Sequence, residues 1–314
     1  METPLVSICS ITYNHAPFIR QCLDSFLMQQ CNFPIEIIIN DDCSTDGTTE
    51  IIREYAEEHP DKVFPVFHEE NLYSKGVRRM FDRFTFTKAQ GKYIAICEGD
   101  DFWIDPLKLQ KQADFLESHP EYSMVCCGAD ILTKNGIAHW CEYPDNQDIP
   151  LKDIITKGGG GIHTPSIMFR AELVKDVPKE YFECHVGDLP LVIHLGLKGK
   201  VFYLKENMVG YRFMVSDTSW SSQVRINEAY FANILSEINM LRAYNEFSHH
   251  QYDALFKKRM GKTAIFYLRR VPHMKEKMLE ALPDFPKWLS LSDKLKWWRI
   301  RLGLKGAKSK NHHS

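Results

Sequence analysis

The sequence predicts an α/β protein with a mostly parallel sheet flanked by helices. Two observations support this fold class. Short, mainly apolar runs, as at residues 6–11, 36–40 and 93–97, alternate with stretches of helical periodicity, and polar or acidic residues directly follow several of the runs. Strands buried on both faces are apolar throughout, and their alternation with helices favours a parallel sheet. Ligands of such sheets bind beyond the carboxyl ends of the strands, where the acidic residues fall.

Each element follows from its local pattern. Apolar runs predict strands at residues 6–11, 36–40, 63–67, 93–97, 122–127, 166–170 and 200–204. Apolar residues spaced three and four apart predict helices at residues 17–30, after the turn at 41–47, and at 76–89, 106–118 and 189–197. Beyond residue 227 the pattern is helical, over residues 229–247, 252–268 and 287–302. We therefore expect an α/β domain over residues 1–225 and a helical C-terminal extension over residues 226–314.

The composition excludes several classes of protein. The chain has 314 residues, of which 44% are hydrophobic and 25% charged, as in ordinary globular proteins. Its formal net charge of −2 offers no basic field to nucleic acid, so we expect no nucleic-acid partner. The sequence contains no run of about 18 uncharged apolar residues, so it predicts no membrane-spanning helix.

Cysteine usage and the N-terminus indicate the cellular compartment. The nine cysteines are scattered without regular spacing, several of them in predicted strands, and this favours reduced thiols. Glu2 stands where a signal peptide carries positive charge, and no long apolar stretch follows it. We therefore expect a cytoplasmic protein, which can still contact a membrane from its inner face.

Three groups of acidic residues are candidates for chemistry, and the first is the pair Asp41 and Asp42 after the apolar residues 37–39. A carboxylate at the end of a parallel strand can accept hydrogen bonds from a nucleobase N–H or a ribose hydroxyl. The alternative is that the turn only caps the following helix, since Ser, Thr, Asp and Gly are favoured there. We expect Asp46 to cap the helix and Asp42 to contact a ligand, because paired aspartates exceed what a cap requires.

The second group is the most informative. The strand at residues 93–97 is followed within four residues by three carboxylates, those of Glu98, Asp100 and Asp101. Crowded like charges repel one another, so we expect a divalent cation and a diphosphate to lie among them. The alternative is a solvated acidic turn, which fits less well between a buried strand and the aromatic pair Phe102 and Trp103.

The third group is a single carboxylate, Asp188, which precedes a helical run and lies far from the other acids in the sequence. Such separation suits a general base, because its pKa can then be set independently of a metal site. The alternative is a helix N-cap ahead of Pro190, which the spacing supports nearly as well. Both interpretations stay open at the level of the sequence.

In their order and spacing, these motifs resemble the family 2 glycosyltransferases, which share the GT-A fold. The matching segments are residues 6–8 leading to 12–14, then 39–48, 91–95 and 98–103, and the resemblance covers roughly residues 5–220. It implies a GT-A catalytic domain at residues 1–225 that transfers a sugar from a nucleoside diphosphate, most commonly uridine diphosphate. The usual setting of such enzymes is the biosynthesis of bacterial surface polysaccharides.

The resemblance also implies roles for individual residues. Thr12 and Asn14 would lie beside the nucleoside, and Asp42 would bind its base. Arg212 would belong to the loop that covers the diphosphate, since the fork of guanidinium donors suits phosphate. In inverting members, a carboxylate at the position of Asp188 deprotonates the acceptor hydroxyl.

The residues from Glu98 to Asp101 are similar to the metal-binding Asp-x-Asp motif of the family. The resemblance implies that Asp101 binds Mn²⁺ or Mg²⁺ directly, and that Asp100 and Glu98 lie toward the ribose of the nucleotide sugar or in the shell of the metal. The metal would neutralise the departing diphosphate. Glu98 departs from the pattern, because the family usually has an Asp at this position.

Further matches concern the acceptor. The glycine run at residues 158–161, with His163 and Thr164 after it, falls where related enzymes bind their acceptor, and Trp220 belongs to a later segment on the same side. A solvated loop histidine explains His163 equally well. The sequence lacks the Gln-x-x-Arg-Trp signature of processive synthases. We therefore expect one sugar per encounter, transferred to a glycan or a lipid-linked saccharide.

The C-terminal tail combines tryptophan with basic residues. From residue 287 to residue 314 it has eight Lys or Arg residues and one acid, Asp293. Its large apolar side chains share one helical face: Trp288, Leu291, Leu295, Trp298 and Leu302. This pattern predicts either an interfacial membrane helix, which would suit a lipid-linked acceptor, or a helix that packs its tryptophans onto the protein.

Other functions remain as alternatives. A nucleotidyltransferase would also need metal-binding carboxylates, but its glycine- and arginine-rich phosphate loop does not match residues 11–19. A dehydrogenase would need a Gly-x-Gly-x-x-Gly motif after the first strand, which the sequence lacks. A sugar-nucleotide-binding protein without turnover is disfavoured because both Asp101 and Asp188 are present.

Overall fold

The computed structural model describes residues 2–140, 143–157, 161–215 and 226–304. Trp220 and most of the predicted glycine run, residues 158–160, lie outside the described residues. The chain divides into two compact units. The first comprises residues 1–154, 159–177 and 187–223, and the second comprises residues 155–158, 178–186 and 224–314.

The first unit is built on a sheet. Its strands are β1 (Val6–Thr12), β2 (Ile35–Asp41), β3 (Val63–Phe67), β4 (Tyr93–Glu98), β5 (Phe102–Trp103), β6 (Tyr122–Thr133), β7 (Gly136–Trp140), β8 (Gln147–Asp148), β9 (Met168–Arg170) and β10 (Lys200–Arg212). Within the described residues they form one ten-stranded sheet in the order β3-β2-β1-β4-β9-β6-β10-β5, with β7 paired to β6 and β8 to β10.

The pairing explains why the sequence reads as a parallel sheet. β3, β2, β1 and β4 pair in parallel, and so do β6 and β10. β9 is antiparallel to both β4 and β6 and joins the two parallel groups. The expected α/β sheet is therefore present, with antiparallel strands added to its parallel groups.

Helices cover this sheet. The first unit contains α1 (Ile19–Leu27), α2 (Thr48–Glu58), α3 (Lys108–Ser118) and α6 (Asp188–Lys198). The boundary between the units falls within α4 (Leu151–Lys157), and α5 (Lys179–Glu183) belongs to the second unit. α1 buries Ile19, Leu23 and Phe26, which recur every three or four residues and so share one helical face. They join the same core cluster as Ile8 of β1 and Ile37 of β2.

The predicted elements of the first unit are present, with two main differences in extent. β6 and β10 continue beyond the predicted ends at residues 127 and 204. Register shifts between Leu204 and Val209 mark an irregularity where the polar residues Lys205 and Glu206 are exposed, so the apolar pattern stops while the strand continues. In the stretch 76–89, which was expected to be a helix, the only helical segment is a π-helical turn at Phe81–Phe86.

The second unit is helical. Besides α5 it contains α7 (Phe231–Phe247), α8 (Asp253–Leu268), α9 (Lys275–Ala281), which was not predicted, and α10 (Leu291–Arg301). α7 buries the Glu237 carboxylate, which accepts hydrogen bonds from Arg259 (2.8 Å) and Thr263 (2.9 Å) of α8. None of the helices that the structure describes has the length and apolarity needed to cross a membrane.

A hydrogen-bond network beneath the start of β1 requires glycine at position 91. The Ser7 hydroxyl donates to Glu36 Oε1 (2.6 Å) and accepts the Gly91 N–H (2.8 Å). A Cβ atom at position 91 would lie 2.6 Å from the Ser7 backbone nitrogen and 2.9 Å from the Tyr93 carbonyl oxygen. Because these contacts are with backbone, relieving them requires the strands themselves to move.

We expect Gly91→Ala to lower the free energy of unfolding by about 1–3 kcal/mol, the usual cost of overpacking a close contact. Urea or thermal unfolding measures the change. Gly187→Ala is the matched control, because a Cβ there meets nothing within 4 Å and φ is −81°. Equal stability losses in the two variants would contradict this account of Gly91.

Candidate active site

The carboxyl end of β4 carries the acidic turn that the sequence singled out, formed by Glu98, Asp100 and Asp101. The turn is closed by a hydrogen bond from the Asp101 N–H to the Glu98 carbonyl (3.0 Å). It is held to β1 by a hydrogen bond from the Gly99 N–H to the Ile11 carbonyl (2.8 Å). A Cβ at Gly99 would lie 2.6 Å from Thr12 Oγ1, so glycine allows the turn to pack directly against the end of β1.

The three carboxylates differ in their exposure. Asp101 is only 1% exposed; its Oδ1 accepts the Arg212 N–H (2.7 Å), and its Oδ2 has no hydrogen-bond partner among the described residues. The side chain of Asp100 is 22% exposed and can reach a ligand more directly. The buried oxygen of Asp101 and the accessible carboxylate of Asp100 thus give the turn an inner and an outer acceptor.

Mutual repulsion affects these acids strongly. Burial, together with the charges of Asp100 and Asp188, raises the pKa of Glu98 to about 8, although a hydrogen bond from Thr164 opposes the shift. Burial and the charges of Asp100 and Glu98 also raise the pKa of Asp101. A bound cation would relieve this repulsion, so the site favours positive charge.

These residues fit a cation that arrives with phosphate better than a metal caged by protein. Within the described part of the chain, no group of three or more His, Cys, Asp or Glu residues is arranged to hold a metal ion. Mg²⁺ is commonly held by one or two carboxylates together with substrate phosphates and water. Asp100 and the unpartnered Oδ2 of Asp101 provide that smaller set.

Arg212, at the end of β10, holds the acidic turn from the other side. Its guanidinium lies 4.7 Å from the ring centres of both Phe18 and Phe102. It donates to the backbone carbonyl of Asp100 and to Oε1 of Gln21. The sequence predicted a contact between Arg212 and diphosphate, and the structure adds a role that was not predicted, the support of the turn.

The loop after β1 brings two further predicted residues to the turn. Asn14 has φ of 54°; its N–H donates to Ser44 Oγ (2.8 Å) and its Oδ1 accepts the Thr45 N–H (2.9 Å), which ties this loop to the one after β2. Thr12 Oγ1 lies 3.1 Å from Nδ1 of His15. The other ring nitrogen of His15 lies 4.0 Å from Asp100 Oδ2, so Thr12 is linked through His15 to the acidic turn.

Asp42 is buried and fully engaged with backbone. Its two carboxylate oxygens accept the N–H groups of Leu72 and Tyr73, each at 2.9 Å. The carboxylate therefore fixes the loop that follows β3, a role that the sequence did not predict. The N-cap of α2 is Gly47 and not Asp46 as expected, but Asp46 precedes it and its Oδ1 accepts the N–H of Thr48 (3.1 Å), the first residue of the helix.

Asp188 opens α6 and belongs to the same electrostatic environment as the acidic turn. Its Oδ1 accepts the N–H of Leu189 (2.7 Å), and it is partly exposed. Its charge raises the pKa of both Glu98 and Tyr211, although about 90 residues separate it from Glu98 in the sequence. The fold thus brings the third acidic group close to the second.

Two of the three predicted acceptor-side residues, His163 and Thr164, are among the described residues. The ring of His163 lies 4.9 Å from that of Tyr211, and Thr164 begins a 3₁₀ turn, Thr164–Ser166. Thr164 is buried and hydrogen-bonds to Glu98, so it borders the acidic turn. Trp220 lies outside the described residues, and its expected role is untested.

Sequence reasoning missed several residues of the site, namely His15, Phe18, Phe102 as a partner of Arg212, Leu72, Tyr73 and Tyr211. A signal existed for two of them, since His15 follows the recognised Thr12–Asn14 segment and Tyr211 precedes Arg212 directly. No local pattern indicates that Phe18 and Phe102 enclose the same guanidinium, because α1 and β5 meet only in the folded chain.

The raised pKa of Glu98 predicts a pH dependence of stability in a chelator. The folded state keeps the Glu98 proton up to about pH 8, whereas the unfolded chain loses it near the ordinary value of 4.5. The folded state therefore binds more protons between these values, and its stability falls as the pH rises from about 4.5 to 8. We expect Glu98→Gln to reduce this fall when unfolding is measured in EDTA at pH 5 and pH 8.

Glu117→Gln is the control for this experiment. It removes an exposed carboxylate whose pKa is lowered by its hydrogen bond with Lys92, so it should not reduce the loss of stability at high pH. If the wild-type and Glu98→Gln proteins lost stability in parallel between the two pH values, the burial of Glu98 as a protonated acid would be refuted.

Comparison with known proteins agrees with this arrangement. The sequence profile described as "Glycosyl transferase family 2" matches residues 7–177, more than half of the chain. "Uncharacterized protein Rv1520" of Mycobacterium tuberculosis is 35% identical over 211 residues, which are 66% of this chain and 58% of that protein. The "Putative teichuronic acid biosynthesis glycosyltransferase TuaG" of Bacillus subtilis is 37% identical over 113 residues, 36% of this chain and 42% of that protein.

Solved structures agree in fold. The crystal structure of residues 1–349 of S. aureus TarS in complex with UDP-GlcNAc matches with a TM-score of 0.67 at 18% identity, over 96% of this chain and 88% of that one. The match confirms the predicted GT-A fold, with a central sheet flanked by helices and a helical C-terminal region. Because the family profile matches more than half of its residues, the chain belongs to glycosyl transferase family 2.

Proposed function

We propose that the protein is an inverting glycosyltransferase that transfers a sugar from a nucleoside diphosphate, most simply UDP, to a glycan or lipid-linked acceptor. The observation that carries the proposal is the convergence of carboxylates at the carboxyl end of β4, where the charge of Asp188 acts on Glu98 beside the accessible Asp100. The clustered carboxylates of the acidic turn suit a metal–diphosphate, and the separate carboxylate of Asp188 suits a general base.

The relatives support the proposed substrates. The name of TuaG refers to teichuronic acid biosynthesis, and TarS was crystallised with UDP-GlcNAc. By extension, we assign this chain to surface polysaccharide biosynthesis with a UDP-sugar donor. The match spans 58% of Rv1520 and 42% of TuaG, so these assignments concern the shared region.

A divalent cation, Mn²⁺ or Mg²⁺, belongs to the proposal. When bound, it would supply positive charge that stabilises the diphosphate as it leaves the sugar. Asp100 would hold it from the accessible side, and Oδ2 of Asp101, which has no hydrogen-bond partner among the described residues, would face it from below. Glu98 would lie toward the ribose.

The remaining predicted residues are assigned by position. Thr12 ends β1, and Asn14 and Asp42 lie in the loops after β1 and β2; we propose that these loops receive the nucleoside. Asp42 would act by fixing the Leu72–Tyr73 backbone. Arg212 would support the turn through its hydrogen bonds to Gln21 and the Asp100 carbonyl, and it would offer its remaining guanidinium N–H groups to the diphosphate.

Asp188 would act as the general base. It would accept the proton of the acceptor hydroxyl as that oxygen attacks the anomeric carbon, so that a single displacement inverts the configuration. His163, Thr164 and Trp220 would line the acceptor side. The cytoplasmic location expected from the sequence is part of this proposal, and it is supported by the free thiols of all cysteines in the described part of the chain.

The activity is tested by incubating the protein with Mn²⁺ and a panel of UDP-sugars and measuring the UDP released with and without saccharide acceptors. Release of UDP from one donor supports the proposal. Consumption of UTP together with a sugar phosphate would identify a nucleotidyltransferase, and binding without turnover across the panel would identify a sugar-nucleotide-binding protein.

The proposed base makes a specific prediction. We expect Asp188→Asn to reduce kcat by about 10²-fold or more, since general base catalysis contributes that much, while UDP affinity stays unchanged. The control is Asp176→Asn, which removes an exposed carboxylate that pairs with Lys198 at the end of the same helix. Transfer by Asp188→Asn at the wild-type rate would rule out the assignment.

The proposed metal site makes another prediction. We expect UDP to bind at least about tenfold more tightly in Mn²⁺ than in EDTA, and Asp100→Ala to abolish this difference, because the cation bridges protein and phosphates. Asp101→Asn should weaken the Mn²⁺ effect as well. Isothermal titration measures both variants, with exposed Asp114→Ala as the control; an undiminished Mn²⁺ effect in Asp100→Ala would remove Asp100 from the site.

A further inference from the structure

Helix α10 presents two different faces. On its inner face Asp293 and Trp297 are buried, and the ring of Trp297 packs against that of Phe285 with centres 4.8 Å apart. On its outer face four large apolar side chains are exposed to 84%, 67%, 57% and 55%: Leu291, Leu295, Trp298 and Leu302, which we call the outer stripe. Adjacent tryptophans therefore have opposite environments.

The outer stripe is narrow and continuous. Its members are spaced four, three and four residues apart, and at about 100° per residue they fall within about 60° of the helix circumference. Exposed apolar side chains scattered singly are ordinary, but a contiguous row of them marks an interaction surface.

The charges around the outer stripe are positive. Exposed Lys294 and Arg301 lie on one flank and exposed Arg299 on the other, by the same angular spacing. The only acid of α10, Asp293, lies on the buried face and pairs with Lys296 (2.6 Å). At the end of the helix, Lys275 donates to the Arg301 carbonyl (3.1 Å) and adds another cation.

We propose that the outer stripe binds an anionic lipid bilayer, with its leucines and Trp298 at the boundary between headgroups and acyl chains and the flanking cations on lipid phosphates. Interfacial helices combine an apolar face with Lys and Arg in this way, and tryptophan favours that depth. The inference goes beyond the proposed glycosyltransferase activity and does not depend on it.

Other occupants fit less well. Residues 305–314 contain three lysines and no large apolar side chain, so by composition they cannot cover the stripe and would add positive charge beside it. A second copy placed stripe to stripe in a twofold contact would bring Lys294, Arg299 and Arg301 against the same cations, which repel. An anionic bilayer has an apolar interior and a phosphate-rich surface, so it matches both the apolar outer stripe and the cations that flank it.

The test is vesicle co-sedimentation of the full chain, using phosphatidylcholine alone and phosphatidylcholine with about one third phosphatidylglycerol. We expect binding to the anionic vesicles and little binding to the neutral ones. The double substitution Leu295→Ser and Trp298→Ser should lower the partition coefficient by about tenfold or more. The double substitution Lys294→Gln and Arg299→Gln should remove the preference for anionic lipid.

Ile137→Ser is the matched control, since it removes a 63% exposed aliphatic side chain from β7 and should leave vesicle binding unchanged. Thermal melts and UDP binding of the stripe variants should equal those of the wild type, because the substituted side chains are exposed. Lack of UDP binding by the wild type would count against the proposed function and not against the docking surface.

Two results would overturn the inference. One is equal sedimentation of the wild-type and Leu295→Ser/Trp298→Ser proteins with anionic vesicles, including the absence of binding by both. The other is a wild-type dimer, seen by analytical ultracentrifugation, that the same double variant converts to monomer, since the stripe would then be a self-association surface.

Discussion

Repulsion among carboxylates at the end of β4 is the constraint on which the rest of the site depends. Glu98, Asp100 and Asp101 follow one another in a turn that is closed by its own backbone and held by β1, so they cannot move apart. Asp188 adds its charge from α6. Burial raises the pKa values of Glu98 and Asp101, and the charges of the neighbouring acids raise them as well. A cation bound beside these acids would offset their charge, which is what the proposed metal–diphosphate would supply.

The surroundings of the turn keep it rigid. Trp103 follows the acids and donates its backbone N–H to Ser25 Oγ (3.0 Å) and its indole N–H to the Pro165 carbonyl (2.9 Å). Fully buried Lys108 lies 4.1 Å from the Trp103 ring and donates to Gln112, which in turn donates to the Ser166 carbonyl (2.8 Å). The 3₁₀ turn that carries Thr164 is thus fixed to the same aromatic residue as the acidic turn, and this explains why a Phe-Trp pair follows the acids.

The sequence predicted those features that depend on local pattern. The buried strands were visible because β1, β2 and β4 are mainly apolar, and the acidic turn was visible because its three carboxylates fall within four residues. Pairings between distant segments were not visible. Nothing near Asp42 indicates that its carboxylate accepts the Leu72 and Tyr73 N–H groups, and nothing near Arg212 predicts its two aromatic neighbours.

The C-terminal tail also shows that local sequence pattern does not reveal contacts between distant segments. Periodicity placed the leucines and tryptophans of α10 on a helix, and it allowed either packing or membrane contact. The structure separates the two, because Trp297 is buried against Phe285 while Trp298 is exposed. One residue of offset on a helix turns a side chain by about 100°, so small differences in register decide which tryptophan meets the protein. Packing of the inner face and exposure of the outer stripe are therefore compatible properties of one helix.

The two proposed ligands, a nucleoside diphosphate sugar and an anionic bilayer, both carry phosphate, but the acidic turn and the outer stripe interact with phosphate in opposite ways. The acidic turn repels a diphosphate unless a cation lies between them, whereas the cations beside the outer stripe attract phosphate directly. The net charge of −2 gives the protein no overall field that would favour either contact. We therefore expect chelation to act on the proposed donor site and salt to act mainly on the proposed lipid contact, so that experiments can separate the two proposed binding activities.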